Sequence, residues 1–261
     1  MQQSLAGRTI VVTRPEAQAE TLSREIERRG GKALRFPVLG IAPPHDDAEL
    51  LAVTARLDDF ALAFFVSPNA VEHALSCILA HRGWPPQLPV ATVGPGSAQV
   101  LHAAGFEHVI VPREGFDSEA VLELPEFSAA RLAGRKVVIF RGDGGRELLA
   151  ETLTQRGAEV VKVTAYHRYC PRTDPTPLVN MALAGHVDAL VLTSSEGVRN
   201  LVSMLKAPAM AVLAQVPVFA PHPRIAGHAL EAGFHAVIET DGGDAGILMG
   251  LERGLGSASD V

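Results

Sequence analysis

The chain is poor in cysteine and in aromatic residues, and it carries no excess of positive charge. Two cysteines, Cys77 and Cys170, cannot build a disulfide framework or supply a structural zinc cage unaided. Lysine and arginine number 23 against 29 aspartates and glutamates, a formal net charge of -6. That balance argues against a general nucleic-acid binder, although it leaves room for a local basic pocket. No stretch holds the ~18 consecutive apolar residues of a membrane helix. Met1 to Gly7 has no long apolar run before Arg8 and does not read as a signal peptide. A cytoplasmic protein with no membrane and no nucleic-acid partner is the expectation. The ten histidines form no HExxH or CxxC pattern, so no metal is expected, and GxxxxGK[ST] is absent. What is present is an ordinary globular balance, 47% hydrophobic and 20% charged over 261 residues, enough for one or two domains.

The chain repeats itself. At an offset of 127 positions Arg14 falls on Arg141, Glu20 on Glu147, Leu22 on Leu149 and Arg29-Gly30 on Arg156-Gly157. The same offset carries Ser67 onto Ser194 and Val71 onto Val198. One inserted residue later, PVATVGPGSA from Pro89 matches PVFAPHPRIA from Pro217, and Ala104-Gly105-Phe106 matches Ala232-Gly233-Phe234. Three separated blocks at a near-constant offset point to two copies of a unit of roughly 105 residues.

Each copy alternates short apolar runs with helical patterns. TIVV and KVVIF read as strands buried on both faces. Ala19, Leu22 and Ile26 make one helical face, and Leu149 and Leu153 make its counterpart. Gly30 and Gly157 are stop signals. Second strands are expected in ALRFPVL and EVVKVTAY, third strands in LAFFV and ALVLT, fourth strands in VATV and VFA, and last strands in HVIVP and AVIET. Ser67-Pro68 and Ser194-Ser195 suit helix starts. Val71, Leu75 and Ile78 then carry the apolar side in copy one, as Val198, Leu201, Val202 and Leu205 do in copy two. Parallel strands joined by helices give an α/β fold: two similar doubly wound parallel-sheet domains from an internal duplication. IAPPHDDAEL and YCPRTDPTPLVN are connectors where the domains can exchange pieces. The tail from about Gly254 is expected to fray.

Ligands of open parallel sheets bind beyond the carboxyl ends of the strands. The unusual turns lie there: Thr13-Arg14-Pro15, Ser67-Pro68-Asn69, Gly94-Pro95-Gly96-Ser97, Arg141-Gly142-Asp143-Gly144-Gly145-Arg146, Thr193-Ser194-Ser195 and His222-Pro223-Arg224. Small residues at helix starts leave backbone N–H groups open to phosphate or carboxylate. RGDGGRE admits two readings, a tight turn with charged edges or an anion cradle using Arg141 or Arg146. Asp143 reads as an organiser of that turn more than as an acid or base. Tyr166 ends the second strand of copy two, where copy one has Leu39. It either points a hydroxyl into a cleft or is a buried aromatic with one hydrogen bond.

In this order, the turns and their flanks resemble the uroporphyrinogen-III synthase family. VTRPEAQA, FVSPNAV, VGPGSA, FRGDGGRELLAETLTQRGAEV, YHR, LTSSEGV and AGF carry the resemblance over nearly the full length. It implies two α/β domains joined by a two-stranded linker, with the active site between them. Domain one is then 1–38 with 170–261, domain two is 45–165, and the linker strands lie at 39–44 and 166–169. It implies closure of hydroxymethylbilane, a linear tetrapyrrole polycarboxylate, to uroporphyrinogen III with inversion of ring D and loss of water. No cofactor and no metal are implied. A monomer is expected, with room for transient contact with the preceding pathway enzyme. Tyr166 matches the family's active-site tyrosine and is the candidate proton donor. Ser67, Ser97 and Ser194 match the small hydroxyl positions of the cleft. Arg14, Arg141 and Arg146 are candidate carboxylate contacts; Asn69, Gly94, Gly96, Gly142, Gly144 and Ser195 complete the candidate lining. One departure stands out: a GPxTA-like turn is replaced by His222-Pro223-Arg224-Ile225-Ala226, so a threonine-like position is lost at Ile225 and Arg224 is a candidate direct contact. A non-catalytic two-domain binder of a small polyanion remains the alternative, and a glycosyltransferase is disfavoured because no nucleotide pocket is evident.

Overall fold

The computed structural model describes residues 3–145 and 147–256. Along the chain the strands are β1 (Thr9–Val12), β2 (Lys32–Arg35), β3 (Gly40–Ala42), β4 (Phe60–Phe65), β5 (Val90–Thr92), β6 (Val109–Ile110), β7 (Lys136–Gly142), β8 (Glu159–Tyr169), β9 (Ala189–Val191), β10 (Val218–Ala220) and β11 (Val237–Glu239). The chain divides into two compact units, Met1–Gly40 with Tyr169–Val261, and Ile41–Arg168.

The first unit holds a five-stranded sheet in the order β11-β10-β9-β1-β2, parallel at every pairing. The second holds a six-stranded sheet in the order β3-β8-β7-β4-β5-β6, parallel from β8 to β6. Apart from the edge strand β3, the two orders are the same once β1, β2, β9, β10 and β11 are matched with β7, β8, β4, β5 and β6. Each unit therefore joins the opening strands of one copy to the closing strands of the other, which is the duplication with its halves exchanged.

Burial on both faces explains the unbroken apolar runs. In β1, Ile10 and Val12 face one cluster with Leu22 and Ile26, while Val11 faces the other with Leu190 and Val218. In β4, Leu62 and Phe64 pack with Phe127 and Leu153, and Ala63 and Phe65 pack with Val71, Leu75 and Ile78. The expected helix Glu16–Arg28 buries Ala19, Leu22 and Ile26, and Leu148–Gln155 buries Leu149 and Leu153. Gly30 and Gly157 come after these helices with φ of 79° and 88°, values that only glycine adopts without strain.

Two expectations are corrected. The second strand of copy one stops at Arg35 rather than running through ALRFPVL. Pro37 has no N–H to give, so pairing becomes irregular there, held by Phe36 N–H on the Val12 carbonyl and Val38 N–H on that of Thr13. Residues 166–169 are the last part of the eleven-residue β8. The chain does not fray at Gly254: the helix Gly243–Leu255 runs through it, and a Cβ there would lie 2.8 Å from the Phe219 ring. Residues 257–261 of that tail lie outside the described residues. Among the described residues, no helix is long and apolar enough to cross a membrane.

Candidate active site

Because the strands are parallel, their carboxyl ends share one edge of each sheet, and helix starts gather there. In the second unit Ser67, extended, opens the helix Pro68–His81, and its Oγ accepts the Ala70 N–H at 3.2 Å. Asn69 sits in the first turn of that helix. Gly94 opens the helix Pro95–Ala103 with no side-chain cap, and a Cβ on it would lie 3.2 Å from Cβ of Phe116. A Cβ on Gly96 would lie 3.9 Å from Pro68, so these two turns are neighbours. Ser97 is 3% exposed and turns inward.

Tyr166 is brought to this place by an irregularity. Pairing runs Arg141 with Thr164, then Gly142 with Tyr166, so one residue of β8 is skipped. Up to Thr164 the side chains of β8 alternate faces; the bulge re-aims the residues beyond it. Tyr166 thus joins Ala165 and Val163 on the face that holds Phe65 and Phe140. It is 5% exposed. Its hydroxyl lies 3.1 Å from Ser67 Oγ, either atom able to donate. The His73 ring is stacked near it, with centroids 6.1 Å apart. The Tyr166 ring covers Gly142, where a Cβ would lie 2.7 Å from Cζ. Tyr166 is thus a buried aromatic with one hydrogen bond, and that bond leads to a partly exposed serine at a strand tip.

Arg141 lies on the opposite face of the sheet, since Ile139 before it packs with Phe64 and Leu149. Its guanidinium is paired with Glu147 at 2.7 Å, and Glu147 also accepts from Lys162 at 3.0 Å. The hydrogen bond from Arg141, then that from Lys162, holds the Glu147 carboxyl below the usual carboxylate range. Gly144 and Gly145 both have positive φ, and a Cβ on Gly145 would meet Arg141 at 3.4 Å. The tip therefore doubles back over the arginine. Asp143 organises this turn: it accepts the Arg168 N–H at 2.9 Å, and its other oxygen is 3.3 Å from His167 Nδ1. Arg146 lies outside the described residues.

In the first unit Arg14 is paired with Asp244. Thr13 donates its hydroxyl to the Val191 carbonyl at 2.6 Å. Ser194 caps the helix Ser195–Met204 by accepting the Gly197 N–H at 2.9 Å. Ser195 Oγ is buried and has no hydrogen-bond partner among the described residues. His222 opens the helix Pro223–Glu231 and its Nδ1 accepts the Arg224 N–H at 3.0 Å. Arg224 is exposed, and Ile225 is buried in the core with Leu201 and Val218. The departure at Ile225 thus exchanges a hydroxyl position for core packing. Sequence reasoning missed Lys162 and Glu147. A lone lysine inside the apolar run EVVKVTAY was the available signal for Lys162. Among the described residues, no group of three or more histidines, cysteines or carboxylates is placed to hold a metal.

A duplicated α/β protein with serine, glycine and arginine turns at the carboxyl ends of two parallel sheets is the class that fold and site define. The family model described as Uroporphyrinogen-III synthase HemD matches residues 20–245. The uroporphyrinogen-III synthase of Escherichia coli is 33% identical over 198 residues, 76% of this chain and 80% of that protein. That of Synechococcus elongatus is 30% identical over 207 residues, 78% of this chain and 77% of that protein. The chain belongs to the uroporphyrinogen-III synthase family, enzymes that cyclise a small tetrapyrrole-type substrate. The fold is shared with a mutant uroporphyrinogen III synthase from Thermus thermophilus, at a TM-score of 0.60 and 19% identity over 95% of this chain and 98% of that one.

Proposed function

We propose that the chain closes hydroxymethylbilane to uroporphyrinogen III, with loss of water and inversion of ring D. The observation that carries the reading is the Tyr166–Ser67 couple at the strand tip. Hydroxide is a poor leaving group, so its departure needs a proton. Tyr166 is nearly buried, and Ser67 is the more exposed of the two. The proton passes from Tyr166 to Ser67 Oγ, and from the serine hydroxyl to the leaving oxygen. The pyrrole nitrogen supplies the electron pair that breaks the carbon–oxygen bond, and an azafulvenium cation results. The substituted carbon of ring D attacks it to give a spirocyclic intermediate, which fragments and closes again with the ring inverted. The proton lost when the final pyrrole regains aromaticity restores the couple, so one water leaves and no net proton is consumed. The pyrrole itself stabilises the cation, so no metal or organic cofactor is called for.

Holding the chain in the productive fold is the larger task, because unassisted closure gives the uninverted ring. The exposed helix start at Gly96, the tips at Asn69, Ser194 and Ser195, and exposed Gly144 are the neutral contacts of this reading, while Gly94 and Gly142 are buried and shape their turns, Gly142 beneath the Tyr166 ring. Arg14, Arg141, Arg146 and Arg224 are its charged ones. Arg14 and Arg141 already carry carboxylate partners, so a substrate carboxylate exchanges with Asp244 or Glu147 rather than filling an empty place. Exposed Arg224 asks for no such exchange. Tyr166→Phe tests the couple. Turnover is expected to fall by roughly ten- to a hundredfold with the fold retained, and an unchanged rate removes Tyr166 from the reaction.

A further inference from the structure

We infer that the second unit carries a separate pocket for one acid-bearing aromatic ring, on the sheet face opposite Tyr166. The pocket has a cavity volume of about 200 Å³. Phe64, Val93, Ile139 and Leu149 form its apolar wall, and Arg141 and Lys162 stand at its polar end beside Gly144 and Gly145. A cavity of about 150 Å³ already takes a benzene ring, so one ring fits, with its acidic arm at the polar end. Tyr166 belongs to the other face, with Phe65 and Phe140. The bulge in β8 is what separates the two places.

The charge pattern names the ligand class. Two cations meet at the polar end, and one carboxylate, Glu147, binds both. Arg141 has only 12% of its side chain exposed, against 48% for Lys162. Glu147 is therefore a built-in stand-in for the acid group of a ligand. An incoming carboxylate takes the Lys162 contact first, then competes for Arg141, while the ring lies on the apolar wall. Naming the ring a pyrrole rests on the proposed function; the site itself does not.

The test is a methyl NMR titration of the full chain with 3-(1H-pyrrol-3-yl)propanoate, with propanoate alone and pyrrole alone as separate arms. The inference expects saturable shifts at Val93, Ile139 and Leu149, and none at Val138 or Val163. Glu147→Gln removes the competing carboxylate and should tighten binding about threefold, and Lys162→Ala should weaken it by a similar factor. Added salt should weaken it in all three proteins. No shifts in either the wild type or Glu147→Gln, or shifts centred on Val138 and Val163, overturn the pocket. Equal binding of propanoate alone overturns the ring. The two readings fail separately: a chain that makes the inverted product but binds no probe refutes the pocket, and a chain that binds the probe but makes no product refutes the synthase.

Discussion

Gly142→Ala is the most informative single substitution. The added Cβ would stand 2.7 Å from Cζ and 3.0 Å from the hydroxyl of Tyr166, where carbon atoms prefer about 3.5–4.0 Å. The ring must retreat by roughly 1 Å inside a cluster that contains Val138, Phe140 and Val163. Overpacking of this kind costs about 1–3 kcal/mol, and the retreat also breaks the bond to Ser67, worth about 1 kcal/mol. Ser67→Ala alone should lose that bond and a helix cap of about 1 kcal/mol. In the Gly142→Ala background only the cap remains to be lost, so the two substitutions should fall short of additivity by about 1 kcal/mol. The assay has a local reporter: Trp84 is the one tryptophan of the chain, its ring 6.0 Å from that of Phe65 in the same cluster. Urea unfolding monitored by its fluorescence reads the second unit. An unchanged midpoint in Gly142→Ala, with full additivity to Ser67→Ala, would refute the placement of Tyr166 over Gly142.

The same geometry makes further outcomes testable. Cys170 is exposed, whereas burial pushes the Cys77 thiol up; a thiol reagent should modify Cys170 first in the folded chain, as read by peptide mass, and simultaneous labelling would contradict this. Asp188 accepts the Thr9 N–H at 2.8 Å and pairs with Arg8, so Asp188→Ala should destabilise the first unit by about 1–3 kcal/mol and speed amide exchange at Thr9; unchanged exchange would count against that contact. Arginine partners hold Glu20 and Glu25 below the usual carboxylate range, hydrogen bonds to Thr176 do the same for Asp174, and Glu147 is held down by Arg141 and Lys162. Such groups ionise more readily folded than unfolded. Their contribution is therefore complete above the ordinary carboxylate values of about 4 and fades as the pH falls through the lowered folded ones. Stability against urea should be flat above about pH 5 and decline below it, and a decline beginning near neutrality would be inconsistent with this.

The fold was largely legible because its signals are local or periodic. TIVV and KVVIF are apolar on both faces, Gly30 and Gly157 close the first helix of each copy, and the constant offset announces the duplication. The site was less legible because its decisive features are not local. The bulge that turns Tyr166 away from Lys162 depends on how β8 registers against β7. The neutralisation of Arg14 by Asp244 joins residues 230 positions apart, so no spacing rule exposes it. Glu147 was visible as the repeat of Glu20, yet the two pair differently, Glu20 with Arg24 and Arg35 and Glu147 with Arg141 and Lys162. Ile225 reads as a lost contact in the turn and is gained by the core.

The most direct measurement supplies enzymatically generated hydroxymethylbilane and resolves the two product isomers as the protein concentration is raised. The inverted type III isomer should displace type I until it dominates. A type I fraction that stays the same at every protein concentration would contradict the account.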